Sequence, residues 1–192
     1  TYSLYYNTTG SNNIANGYYS LHSNTTGNNN TANGSYSLYY NTTGSNNIAN
    51  GYASLHYNTT GNNNTANGYA SLYSNTTGAG NVAQGYNSGR TITEGNYNTF
   101  LGYDAGYNDS QLATASNSIG IGYGAYTTAS NQVVIGNASV TQILCGQDSQ
   151  AEVKAGKLET TVAGEGIILK SPDGTRYKIT VANDGTVTST AV

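Results

Sequence analysis

The 192 residues carry a formal net charge of −3, only 8% charged side chains, and 19 tyrosines against a single proline. A balance this close to neutral favours neither nucleic acid nor an anionic membrane surface as a partner, and no run of 18 apolar residues offers a membrane insertion. A single cysteine, Cys145, excludes an intrachain disulfide framework, so any staple must come from repetition or assembly.

The charges are unevenly placed, with none before Arg90, so the first half must be kept wet by Asn, Ser, Thr and Tyr. Disordered chains are usually charged or Pro-rich and poor in aromatics; this composition points to order instead. Scarce proline suits an unbroken hydrogen-bonded ladder, which proline cannot supply with a donor. The chain starts at Thr1, without Met and partway through a repeat, which reads as a processed product or a piece of something longer. No charged segment followed by an apolar stretch marks a signal peptide.

From Tyr2 a 17-residue period runs through the first half. Residues 2–18, YSLYYNTTGSNNIANGY, recur unchanged at 36–52, while 19–35 and 53–69 are near copies of each other. A fifth unit, 70–86, reads ASLYSNTTGAGNVAQGY. Leu4, Leu21, Leu38, Leu55 and Leu72 form one column and Ala15, Ala32, Ala49, Ala66 and Ala83 another. Two glycine columns, beginning at Gly10 and Gly17, mark positive φ or close backbone approach, and so two corners per coil. The segments between them predict two strands of about five residues each.

Asn-Gly recurs at Asn16, Asn33, Asn50 and Asn67, the strongest short signal for an antiparallel hairpin. Identical strings at constant phase favour a parallel solenoid instead, because stacking like on like at about 4.8 Å per coil builds Leu, Ala and Asn ladders. So small a coil encloses little apolar surface. At ~25 cal/mol per Å² its burial barely offsets an ordering cost of ~1–2 kcal/mol per residue, and partner chains are expected to supply the rest.

Beyond the regular repeats, Gly102 follows Gly85 by 17 residues, Gly122 follows by 20 and Gly136 by 14. The 20-residue coil is expected to carry a loop insertion around Asp109 to Thr114, which a stacked solenoid tolerates at a corner. From about Ala151 charges return, and the pattern predicts strands at 166–170, 175–181 and 186–192 joined by turns. The fold expected is all-β: a repetitive parallel β-solenoid, or β-roll, over 1–146, with 17-residue coils to about 103 and irregular coils to about 137. A C-terminal β-meander over 147–192 would cap or register the assembly.

Residues 118–137, SIGIGYGAYTTASNQVVIGN, resemble the head repeat of trimeric autotransporter adhesins. With the NTTG and NTA-G units before them they also look like the shaft of phage tail-fibre proteins. The resemblance covers roughly residues 2–137. It implies a left-handed parallel β-roll, trimeric, non-catalytic and used for attachment to a surface, and the terminal module likewise looks like that of tail fibres.

Several residues invite a specific role. Asn7, Asn24, Asn41, Asn58 and Asn75 each open an Asn-Thr-Thr sequon, a candidate glycosylation row, but the favoured reading is that Asn and Thr here satisfy a turn through side-chain to backbone bonds. His22 and His56 share one phase with Tyr5, Tyr39 and Tyr73; in a trimer they could ring a metal, but the favoured reading is an aromatic exchanged with Tyr. Cys145 reads as a small packing residue rather than a nucleophile. Asp104 and Asp109 lack the cleft that paired-carboxylate chemistry needs. The GIGYG stretch at 120–124 opens no helix that could hold a phosphate and reads as a corner. Tyr18, Tyr52, Tyr69 and Tyr86, with Ser35 interrupting, form the column most capable of surface recognition, although packing between coils or chains is the favoured reading.

The expected function is that of a structural and adhesive fibre without enzymatic activity or cofactor, extracellular on a cell surface or a virion tail fibre. Its partners would be further copies of the chain, a trimer in the first instance, and a cell-surface glycan or protein receptor. The alternative is a self-polymerising extracellular filament joined through its terminal β-module. Ice binding is a third reading, weakened because Thr8 and Thr9 point to opposite faces and leave a single threonine column.

Overall fold

In a computed structural model, which describes residues 2–140, 167–170, 176–181 and 187–191, the chain divides into two compact units, Thr1–Gln142 and Ile143–Val192. The first is a parallel β-solenoid. Eight strands, β1 (Ile14–Asn16), β2 (Thr31–Asn33), β3 (Ile48–Asn50), β4 (Thr65–Asn67), β5 (Val82–Gln84), β6 (Thr99–Leu101), β7 (Ile119–Ile121) and β8 (Val133–Ile135), form one sheet in sequence order. Ala15 pairs with Ala32, Ala32 with Ala49 and Ala49 with Ala66, so like lies over like. The Asn-Gly steps are therefore corners of a parallel coil and not hairpin turns.

Each coil contributes one three-residue strand, not the two five-residue strands expected. The cause is backbone handedness. Tyr19, Leu21 and Asn29 in one coil, and their equivalents Tyr36, Leu38 and Asn46 in the next, have φ between 49° and 59°. Left-handed residues break the β conformation, at about 1 kcal/mol or more each for side chains other than glycine. The inter-coil ladder nevertheless continues through these corners, since Leu21 N donates to Ser37 O and Ser23 N to Tyr39 O. Rung by rung, the stack holds each coil in a shape that an isolated coil would resist.

The two glycine columns have different reasons. Gly17, Gly34, Gly51, Gly68 and Gly85 have φ from 133° to 140°, open only to glycine. Gly10, Gly27, Gly44, Gly61 and Gly78 need no positive φ; a Cβ there would strike the carbonyl of the next glycine in the column.

Inside the coils lie the leucine column from Leu21 to Leu72 and the alanine column from Ala32 to Ala83, all fully buried. At Gly89 and Phe100 the pattern inverts. Glycine takes the leucine phase and phenylalanine the alanine phase, and the Phe100 ring fills the space between Gly89, Gly106 and Gly120. Volume is conserved while the residues exchange places. The step from β6 to β7 is 20 residues and from β7 to β8 is 14, with the added residues near 107–112, close to the expected insertion.

In the second unit β9 (Ile167–Lys170), β10 (Arg176–Val181) and β11 (Val187–Ala191) form an antiparallel sheet in the order β11-β10-β9, as the meander pattern predicts. The predicted turns between them, and Cys145, lie outside the described residues.

Candidate functional site: an aromatic groove

Asparagine fills much of the interior; the repeat predicts asparagine ladders, but not which columns face inward. Asn7, Asn24, Asn41, Asn58 and Asn75 form a ladder in which each Nδ2 donates to the Oδ1 of the coil before, at 2.7–2.8 Å. A second ladder runs through Asn13, Asn30, Asn47, Asn64, Asn81 and Asn98, each Oδ1 accepting the backbone N–H of the next member. The glycine carbonyls bridge the two; Gly61 O, for example, accepts from Asn58 Nδ2 at 3.0 Å and from Asn47 Nδ2 at 2.9 Å. Buried amides are tolerable only when satisfied in this way. Where Ile92 replaces the next asparagine, the first ladder ends and Asn75 Oδ1 is left buried without a donor.

This geometry corrects the glycan reading. Asn24, Asn41, Asn58 and Asn75 are fully buried, and the nitrogen that would carry a sugar already donates two hydrogen bonds. Only Asn7 in the first coil is half-buried. The threonine column is likewise occupied internally: Thr8, Thr25, Thr42, Thr59 and Thr76 each donate Oγ1 to a carbonyl of the next coil.

The outer surface of the coils carries aromatic columns. Tyr52, Tyr69, Tyr86 and Tyr103 stack face to face with centroids 4.9–5.3 Å apart, and Tyr123 continues the line at 5.7 Å. Tyr18 belongs to the same phase but packs edge-on against Tyr19 and Tyr36, because Ser35 breaks the stack. Ring faces in this column are mostly covered by neighbouring rings, so the exposed parts are edges and hydroxyls.

A second column runs Tyr5, His22, Tyr39, His56, Tyr73, with planes within 11° of parallel and centroids 5.0–5.6 Å apart. Arg90 extends it as a flat cation between Tyr73 (4.9 Å) and Tyr107 (5.2 Å). Each histidine thus lies between two tyrosines, the exchange with Tyr favoured from the sequence. Among the described residues no group of three or more His, Cys, Asp or Glu side chains gathers.

Between these columns a third, Tyr2, Tyr19 and Tyr36, stacks and then stops, because Ala53 and Ala70 occupy its next two positions. The missing rings leave a groove of about 280 Å³. Ala53 and Ala70 form its floor, Tyr52 and Tyr69 one wall, His56 and Tyr73 the other. Tyr36 closes one end and Arg90 the other. Tyr36 has a stacked ring, Tyr19, on one face only.

The groove's electrostatics are simple. His56 Nδ1 lies 3.1 Å from Tyr36 O, which makes Nδ1 the donor and leaves Nε2 as an acceptor. Burial pulls the His56 pKa below its ordinary value, partly opposed by that bond, and holds the Tyr73 phenol above its own, helped by a hydrogen bond with Tyr57. At neutral pH Arg90 is the only charge lining the groove. It donates Nη1 to Asn87 Oδ1 at 2.8 Å, and Asn87 in turn donates to Asp104 Oδ1 at 3.1 Å. Arg90 has no ion pair among the described residues. Asp104 therefore holds the asparagine that holds the arginine, while Asp109 is exposed in the inserted loop. Gly122 and Gly124 make the corner after β7, as expected, with Gly120 inside the strand.

Because burial lowers the pKa of both His22 and His56 in the folded state, the unfolded chain takes up these protons first as pH falls below about 6.5. Their contribution to stability is complete above that value and is lost between it and the lowered folded value. The melting temperature is expected to drop between pH 7.5 and 5.5, and His22→Tyr with His56→Tyr to flatten that drop. A melting temperature that rises on acidification would show that attraction of imidazolium for the tyrosine faces outweighs its burial.

Tyr103, Tyr123, Arg90 and the alanine floor were not singled out from the sequence. A substitution of Tyr by Ala at one phase in two consecutive repeats was the available signal. Comparison of the chain with protein-family models, with curated proteins and with solved structures returns no match at any of the three levels.

Proposed function

We propose that the chain is a non-enzymatic segment of a multichain extracellular fibre, such as a trimeric tail fibre or cell-surface adhesin, used for attachment to a surface. The observation that carries the reading is the stacking of eight coils in register, an architecture that extends by repetition and suits a rod. Association is supported by the outward face of the sheet. Leu101, Ile121 and Ile135 stand 37–48% exposed in one column over the last three strands, with Val133 65% exposed in the neighbouring column, an apolar patch of the kind that marks interaction surfaces. No charge interrupts the outward positions of the eight strands, so identical copies can approach without repulsion.

Light scattering is expected to give three times the chain mass, and Ile121→Lys with Val133→Lys to reduce it to one. A single, concentration-independent monomer in the parent chain would overturn the proposal. Mass that climbs with concentration would replace it with the self-polymerising filament.

A further inference from the structure

We infer that the groove between Tyr36 and Arg90 binds an acidic saccharide, its carboxylate on Arg90 and its sugar rings over Ala53 and Ala70. The inference rests on the attachment role proposed above and gives it a location and a ligand class.

Ala53 and Ala70 have φ of 53° and 50°, nearly the values of Tyr19 (55°) and Tyr36 (59°) in the same column. The backbone is thus shaped for two further tyrosine rings, and their absence leaves a slot about two coil rises, roughly 10 Å, in length. That length suits two linked sugar rings lying along the stack, the first against the face of Tyr36 that has no stacked neighbour.

The lining selects the chemistry. Phenols of Tyr52 and Tyr69 and the Nε2 acceptor of His56 offer donors and acceptors to a hydroxyl-rich ring, whereas a purely apolar ligand would leave them unpaired; the Tyr73 phenol is already hydrogen-bonded with Tyr57. By contrast the shallow surface around Tyr40 and Tyr57 is flanked by threonines and is mostly apolar. At the far end the guanidinium of Arg90 has both faces covered by Tyr73 and Tyr107 and one nitrogen held by Asn87. Its remaining N–H groups have no carboxylate among the described residues. A planar cation pre-oriented in this way is suited to a bidentate carboxylate. It is also the only Lys or Arg in the first 140 residues, which makes its position at the mouth of the groove specific rather than part of a basic surface.

Calorimetric titration of the full chain with digalacturonate is expected to show saturable binding that neutral lactose does not match. Arg90→Gln is expected to weaken it by about tenfold or more, the loss of a charge-assisted bidentate contact. Ala53→Tyr with Ala70→Tyr is expected to abolish it while leaving the melting temperature at or above that of the parent, because tyrosine is the native residue at this phase. Binding that survives both variants, or benzoate binding in place of digalacturonate, would overturn the inference. Light scattering on the same samples separates this outcome from failure of the fibre proposal, since a trimer that does not bind digalacturonate leaves the assembly intact.

Discussion

Replacing Asn58 by leucine is expected to lower the stability of the solenoid by about 3–5 kcal/mol. The substitution removes three hydrogen bonds: Asn58 Nδ2 to Asn41 Oδ1 at 2.8 Å, Asn58 Nδ2 to Gly61 O at 3.0 Å, and Asn75 Nδ2 to Asn58 Oδ1 at 2.8 Å. Gly61 O keeps its bond from Asn47, but Asn41 Oδ1 and one N–H of Asn75 are left buried and unpaired. Each such orphan costs about 1–3 kcal/mol, far more than the hydrophobic gain from a leucine of similar size can return in so narrow a core. Thr60→Ala is the control. It destroys the same sequon while its side chain is exposed and outside the ladder, so a change within about 0.5 kcal/mol is expected. Urea denaturation of the two variants distinguishes the roles: equal effects would restore a glycan-based reading, and an Asn58→Leu protein as stable as its parent would sink the ladder.

Phe100 and Gly89 should behave as one unit. Phe100→Ala alone is expected to cost about 3–5 kcal/mol, because the ring is fully buried and the glycines around it cannot collapse inward to fill the space. Gly89→Leu alone is expected to cost about 1–3 kcal/mol, since a Cβ there would already lie 2.9 Å from Leu72 and 3.1 Å from the Phe100 ring. Together they recreate the arrangement of the coil below, Leu72 over Ala83, and the pair is expected to recover most of the loss. The left-handed backbone at Gly89, φ 63°, is no obstacle, because Leu72 adopts φ 48° at the equivalent point. A double-mutant cycle reads the coupling, and costs that simply add would show that the exchange is accidental.

Leu72 and Ala83 were legible as core columns because apolar residues at constant phase have one sensible destination. The Phe100 and Gly89 exchange was not, since each residue taken singly departs from its column and only their proximity in the coil explains both. The same limit applies to the groove. Tyr36, Ala53 and Ala70 are visibly one phase, but whether that phase faces outward between two other aromatic columns depends on how the coil closes.

The repeat period, the parallel register and the stacking of Leu on Leu and Ala on Ala were determined by the sequence itself, because near-identical strings at constant spacing can share one backbone ladder only when placed directly over one another. Tertiary structure alone decided which asparagines enter the core. Asn41 and Asn47 point inward and are fully buried, while Asn46 faces water and Asn50 is half-buried, although all four are the same side chain within ten residues. An amide is equally content in water or in a satisfied ladder, so its own chemistry does not choose; the left-handed turns at Leu38 and Asn46, imposed by the closure of the coil, do.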